Sequence, residues 1–170
     1  MNDKAKAAVR KILDRFGPKI PVDIDAIVKA HGIEVFTDNE MATSVSGVLI
    51  IKGKQVGAMV NMSHPEVRIR FTLAHELGHY LLHRRKKNLF VDEFAVMYRS
   101  SMPGGIDPLE VEANIFAAEL LMPEGAVRAD FKADPPIAKS DDAIRKLARR
   151  YMVSPAAMKY RLRQLGLISG

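Results

Sequence analysis

Cysteine is absent from this chain of 170 residues. Its absence excludes disulfides, thiolate zinc clusters and a cysteine nucleophile, so histidine and carboxylate side chains would have to hold any metal. The chain also lacks an apolar run of membrane-spanning length. Residues 1–6 lead into a charged amphipathic segment that lacks the apolar core of a signal peptide. We therefore expect a cytoplasmic protein that has no membrane partner.

The composition is that of an ordinary globular protein, with 48% hydrophobic and 27% charged residues. A chain of this length can bury a core of its own. The formal net charge of +6 permits attraction to acidic partners, including nucleic acid. However, the densest basic run, Arg84–Lys87, directly follows a candidate helix, where cations suit the negative end of the helix dipole. We interpret this run as a solvated helix end.

The segment from Phe71 to His83 shows the pattern of a largely buried helix, because its apolar residues recur at helical spacing. Three ionisable residues, His75, Glu76 and His79, interrupt that pattern. Residues four apart lie on one helix face, roughly 6 Å apart at Cβ, so the two imidazoles can hold one ion. His-Glu-x-x-His is the arrangement of zinc metalloproteases. The alternative is a buried structural helix whose histidines are hydrogen-bonded. However, burying an unpaired glutamate in such a helix would cost free energy of folding.

A catalytic zinc needs a third protein ligand. His83 lies eight residues beyond His75, about 12 Å along the helix axis, which is too far for the same ion. We expect it to pack or to support the ligands. The helix predicted over 109–121 offers Glu110 as the preferred ligand, with Asn114 one turn later as a supporting group. Glu112 is the second candidate, and the alternative is that both acids are solvated at the surface.

The remaining pattern predicts an α+β fold that is mostly helical, with a small antiparallel sheet before the metal-binding helix. The predicted strands are 33–36, 47–51 and 55–61, and the last two form a hairpin. The other predicted helices are 4–16, a short helix from Ile24, 124–132, and two helices capped by Ser140 and Ser154. An exposed edge of the hairpin could hold an extended peptide, or the hairpin could be purely structural.

A long connection, 84–108, separates the two motif helices and shows weak periodicity. Connections of this length inside a compact domain are often functional. Its apolar side, which includes Phe90, could partly cover the cleft or pack as a helix and loop. Tyr98 and Arg99 are candidates for a hydrogen-bond donor that would stabilise the oxyanion in addition to the metal. They are candidates only because they lie in this connection.

Two stretches, 70–83 and 110–123, together resemble the ImmA/IrrE family of metallo-endopeptidases. The likeness extends to Pro21–Ile24 and to 147–168, so it covers most of the chain. The connection between the two motif helices is the part with the least likeness.

The resemblance implies a gluzincin-like site in which Zn²⁺ is held by His75, His79 and Glu110. Glu76 would be the catalytic acid and base. Manganese is the alternative metal. The reaction implied is hydrolysis of a peptide bond in a protein substrate.

The resemblance also implies a substrate and a context. Family members typically cleave helix-turn-helix repressors of the Xre type, which are often encoded nearby, and thereby relieve repression of transcription. Some such pairs look like toxin–antitoxin modules. The alternative function is a DNA-binding or partner-binding regulator, or a toxin–antitoxin component, with negligible peptidase activity.

The chain is predicted to form a zincin-like metallopeptidase domain over 1–135 and a C-terminal helical segment over 136–170. That segment shows a helix, a turn at Met152–Ser154 and a second helix, which resembles a helix-turn-helix. It is locally basic, with seven Lys or Arg against two Asp in 140–170. Because helix pairs are common, we favour packing of this segment on the same domain over direct binding of nucleic acid.

Overall fold

The computed structural model describes residues 3–17, 19–93, 107–133 and 140–169. The helices among them are α1 (Asp3–Phe16), α2 (Ile24–Ala30), α3 (Glu66–His83), α4 (Pro108–Leu121), α5 (Glu124–Ala133), α6 (Asp141–Tyr151) and α7 (Pro155–Gln164). The strands are β1 (Ile33–Asp38), β2 (Val45–Lys52), β3 (Gln55–Asn61) and β4 (Leu89–Glu93). The predicted α+β class, mostly helical with a small sheet, is confirmed.

The helix starts follow the predicted capping residues. The Asp23 side chain accepts a hydrogen bond from the backbone N–H of Ala26 at the start of α2. Ser140 and Ser154 cap α6 and α7 in the same way, each accepting from the third residue beyond it. These side-chain oxygens satisfy backbone donors that the first helical turn leaves unpaired. Met152 takes a left-handed conformation with φ of 51° and ends α6.

The four strands form one mixed sheet in the order β1-β3-β2-β4. β2 and β3 form the expected antiparallel hairpin, in which Lys52 pairs with Gln55 across a turn where Gly53 has a positive φ. β1 adds to β3 in parallel, and β4 adds to β2 in antiparallel orientation. The sequence predicted only a long connection where β4 lies. The outer edge of β2, considered as a place for an extended peptide, is therefore already paired with β4.

The helix α3 packs beneath the sheet and beside α4. Leu49, Ala58 and Phe90 lie opposite one another on adjacent strands, and all three are buried in the core. Gly78 brings α3 and α4 close together, because a Cβ at this position would lie 3.0 Å from the Phe116 ring and 3.3 Å from the Ala113 Cα. This close approach places residues of both helices around one site. Across the described ranges, no helix combines the length and apolar character needed to cross a bilayer.

Candidate metal centre

Three of the predicted site residues meet between α3 and α4. His75 and His79 are one turn apart on α3, and their Nε2 atoms are separated by 2.9 Å. Glu110, in the first turn of α4, brings Oε2 to 3.1 Å from Nε2 of His75 and Oε1 to 3.3 Å from Nε2 of His79. One ligand atom from each residue lies within 4.8 Å of the others, so the group could hold a metal ion.

The electrostatics of this cluster suit a cation. Burial lowers the pKa of His75, but the hydrogen bond to Glu110 and nearby carboxylates outweigh it and raise that pKa to about 9. For Glu110, burial is outweighed by both histidines, which hold its pKa far below the ordinary value. Burial lowers the pKa of His79. The cluster therefore attracts one positive charge, and two imidazoles with a carboxylate are a donor set that zinc accepts.

Asn114 orients the first imidazole. Its Oδ1 lies 2.9 Å from Nδ1 of His75. Because an amide oxygen can only accept a hydrogen bond, the contact places a hydrogen on Nδ1 and directs Nε2 toward the cluster. This is the supporting role that the spacing of Glu110 and Asn114 predicts.

A second chain of contacts orients the other imidazole. Nε2 of His83 lies 2.9 Å from Oε2 of Glu112, and Nδ1 of His83 lies 3.1 Å from Nδ1 of His79. A carboxylate only accepts, so His83 donates from Nε2 and accepts at Nδ1. Burial lowers the pKa of His83, which favours this neutral form. His79 then donates from Nδ1 and keeps the lone pair of Nε2 for the cluster.

These contacts decide between the sequence alternatives for the two acids. Glu110 joins the histidine pair, whereas Glu112 lies outside the cluster and contacts His83 instead. The alternative that both are solvated surface acids is wrong, since their side chains are only 16% and 29% exposed and each binds a buried imidazole. The prediction that His83 supports the other histidines agrees with its position.

Glu76 is buried beside the cluster, and neither of its carboxylate oxygens has a hydrogen-bond partner among the described residues. Burial raises its pKa to about 8; His75 opposes that rise, and the carboxylates of Asp92 and Glu110 add to it. A buried carboxyl group without a partner costs free energy. Such a perturbed group next to a possible metal position indicates a functional role.

Gly47 on β2 allows the sheet to lie against this carboxyl group. A Cβ at this position would collide with the Thr72 methyl group and would lie 3.0 Å from Oε1 of Glu76. Sequence reasoning missed Gly47. The only available signal was the glycine that opens the predicted strand 47–51, since a glycine within a strand often marks a close approach of the backbone.

β4 lies against the site. The Phe90 ring stacks on the His79 ring with centroids 4.2 Å apart and an angle of 24°. Asp92, two residues later on the same face of the strand, pairs with Gly47. Burial raises the pKa of Asp92. The sequence singled out Phe90 only as part of an apolar side and missed Asp92, while Tyr98 and Arg99 lie outside the described residues.

Comparison with known protein families shows the family to which the chain belongs. A model of the Peptidase M78 family, described as the IrrE N-terminal-like domain, matches residues 28–163. The chain belongs to the Peptidase M78 family. The match confirms the resemblance to ImmA/IrrE proteins and includes α3, α4, α6 and nearly all of α7. It crosses residue 135, and the division into 1–135 and 136–170 stays a prediction.

A curated relative comes from Bacillus phage phi105. This protein carries the name uncharacterized immunity region protein 2. It is 27% identical to the chain over 122 residues, which cover 72% of this chain and 70% of the relative. The family is thus that of metallopeptidase-like proteins, and the chain has a group of side chains that could bind a metal.

Proposed function

We propose that the protein is a zinc-dependent endopeptidase. The observation that carries this proposal is the position of a buried, unpartnered Glu76 beside the cluster of His75, His79 and Glu110. Membership of the Peptidase M78 family supports it. The set of two imidazoles and one carboxylate fits zinc with an open fourth position, and manganese is the alternative.

In this proposal His75, His79 and Glu110 are the metal ligands and Glu76 is the catalytic acid and base. A bound divalent metal would activate the attacking water and polarise the scissile carbonyl. Glu76 accepts a proton from the attacking water as its oxygen bonds to the carbonyl carbon. The same carboxyl group then delivers that proton to the leaving nitrogen as the C–N bond breaks. Its lack of a hydrogen-bond partner leaves both oxygens available for this exchange.

The outer contacts support the same chemistry. Asn114 and the pair of His83 and Glu112 hold the two imidazoles in the tautomers that direct Nε2 to the metal. Phe90 covers the His79 ring and limits access of water from that side. These residues position the ligands and do not touch the reacting bond.

For the substrate, we propose a helix-turn-helix repressor of the Xre type encoded near the protein. The family resemblance favours this class, and the immunity-region name of the phage relative supports a role in regulating transcription. Cleavage would relieve repression. A toxin–antitoxin setting has no support among these observations.

The competing function is a regulator that binds DNA or a partner through α6 and α7. Two observations count against a role of α7 as a recognition helix that contacts DNA bases. The Arg161 guanidinium is buried, donating to Glu119 at 2.7 Å and to the backbone oxygen of Met122 at 3.0 Å. The first turn of α7 lies beside α3 with Ala157 buried, whereas a recognition helix offers the residues of its first turns to the bases. Gel-shift measurements across a salt series test this alternative, because specific, salt-sensitive binding of duplex DNA would favour it.

The test of the peptidase proposal is cleavage of the neighbouring repressor by the zinc-loaded protein. We expect two fragments with the wild-type protein and none with Glu76→Gln, which should still bind zinc with wild-type stoichiometry. Glu66→Gln, an exposed acid at the start of the same helix, is the matched control and should cleave normally. A stable complex of wild-type protein and repressor without fragments would favour a partner-binding regulator.

A further inference from the structure

A cavity of about 320 Å³ lies between the first half of α3 and the start of α7. Its apolar lining includes Val67 and Phe71 from α3, together with Val153, Ala156 and Ala157 from the turn before α7 and its first turn. The cavity has the volume at which single side chains and small ligands are bound in proteins.

Glu76 is not among the described lining residues of the cavity, but the lining approaches it along α3 and across β2. Thr72, one helical turn before Glu76, lies on its wall. Ser46 and Asp92 complete this side, and they flank Gly47, whose backbone lies against the Glu76 side chain. A side chain that enters the cavity is therefore held near Glu76, the proposed catalytic acid and base.

The walls determine which chemical group fits. Most of the lining is aliphatic or aromatic, and among the described residues on it only Arg68 and Asp92 are charged. These two have opposite charge, and Arg68 lowers the pKa of Asp92 against the larger effect of burial, which raises it. Pro65 and Ala156 lie on the lining and are exposed, which leaves the cavity accessible from solvent. A medium-sized apolar side chain matches these properties better than a charged one.

We propose that this cavity is the specificity pocket of the peptidase and binds an apolar side chain next to the scissile bond. The inference rests on the proposed function and names its substrate class as peptides with leucine or methionine at that position. The first turn of α7 forms one wall, so the C-terminal helices contribute to the substrate site. Filling an apolar pocket of this kind typically favours a substrate by roughly tenfold to hundredfold.

The test uses zinc-loaded protein and peptides that span the mapped cleavage site of the repressor. Each residue flanking the cleaved bond is changed in turn to leucine, phenylalanine, alanine or aspartate, and kcat/KM is measured. We expect leucine to be preferred over alanine and aspartate by at least about tenfold at one flanking position. Ala156→Phe should fill the cavity and remove the preference for leucine over alanine.

The matched control is Ala129→Phe, at an exposed alanine on α5 that does not line the cavity. It should keep the wild-type preference. Val67→Ala enlarges the cavity and should shift the preference toward phenylalanine. The inference is overturned if neither flanking position prefers an apolar residue, or if Ala156→Phe slows all peptides equally.

A binding measurement separates this inference from the proposed function. N-acetyl-leucinamide should shift the NMR signals of the Thr72 and Ala157 methyl groups, and Ala156→Phe should abolish the shifts. N-acetyl-asparaginamide, of similar shape but polar, should shift them far less. If no peptide is cleaved, the proposed function fails, yet selective binding of the leucine probe still supports an apolar side-chain site. Equal binding of both probes, or of neither, overturns the inference.

Discussion

The layer of α3 and α4 and the pair of α6 and α7 both carry many charged side chains, but they place them differently. In the first region, His75 and Glu76 are 1% exposed, and the charges meet one another in the interior. In the second, Asp142 and Arg145 pair on the surface with side chains 88% and 51% exposed. Buried ionisable groups are costly to keep, whereas exposed pairs contribute little to stability. Under the proposed function the buried charges of α3 and α4 serve catalysis, whereas the Asp142–Arg145 pair of α6 is exposed to solvent.

The largest effect should come from removing the carboxylate that joins the histidine pair. Glu110→Ala takes away one of three proposed ligands. Loss of a residue that only hydrogen-bonds to a metal ligand can lower metal affinity by up to roughly 100-fold. The zinc affinity of Glu110→Ala should therefore fall by more than this. Competition with a fluorescent chelator measures this change. Glu66→Gln serves as the control and should bind zinc like the wild type. Unchanged affinity in Glu110→Ala would remove Glu110 from the metal site.

The next effect concerns the ion pair of Arg161 and Glu119, which links the two regions and is buried. Arg161→Met leaves Glu119 buried without its partner, and such losses destabilise proteins by about 3–5 kcal/mol. Urea unfolding of the zinc-loaded protein measures the free energy of unfolding. Arg145→Ala removes an exposed pair on α6 and should leave that free energy unchanged. Equal effects of the two substitutions would erase the contrast between buried and exposed charge.

A smaller effect is expected from Glu112, which holds His83 in contact with His79. Glu112→Leu removes the acceptor for His83, so zinc affinity should fall roughly 10- to 100-fold while the unfolding transition of the zinc-free protein stays close to wild type. Glu112→Gln keeps an acceptor oxygen at the same place and should lose much less. If the two variants lose affinity equally, the charge of Glu112 matters rather than the hydrogen bond.

The smallest effect is a pH dependence of the zinc-free protein. The folded pKa of Glu76, raised by burial to about 8, lies above its ordinary value of 4.5. At this group the folded state therefore holds an extra proton between these values, so the contribution of Glu76 to stability is lost as the pH rises from about 5 to 8. His75, with its pKa raised to about 9, adds a loss between about 6.5 and 9. Glu76→Gln should make the free energy of unfolding less dependent on pH between about 5 and 8. Urea unfolding at several pH values measures this dependence. A decline of the same steepness in the variant would show that Glu76 does not titrate in this range.

The sequence predicted what depends on local spacing and capping. The periodicity of 71–83 indicated α3, and the four-residue spacing placed His75 and His79 together. The same reasoning separated Glu110 from Glu112 by helix face and excluded His83 as a ligand by its distance along the axis.

What the sequence did not show depends on contacts between distant segments. β4 is five residues long, and its pairing is set by β2 rather than by any pattern of its own. The roles of Gly47 and Asp92 follow from that pairing. The contact of Glu112 with His83 depends on how closely α3 and α4 approach, which Gly78 sets. Spacing along one helix carries no information about such an approach.

The most direct test of the central claim is a crystal structure of the zinc-loaded protein with anomalous data at the zinc edge. We expect one zinc bound to Nε2 of His75 and of His79 at about 2.0–2.1 Å and to a Glu110 oxygen at about 2.0–2.2 Å. Glu76 should lie beside the metal without binding it. Zinc bound elsewhere, or held by Glu76 while Glu110 points away, would contradict the account.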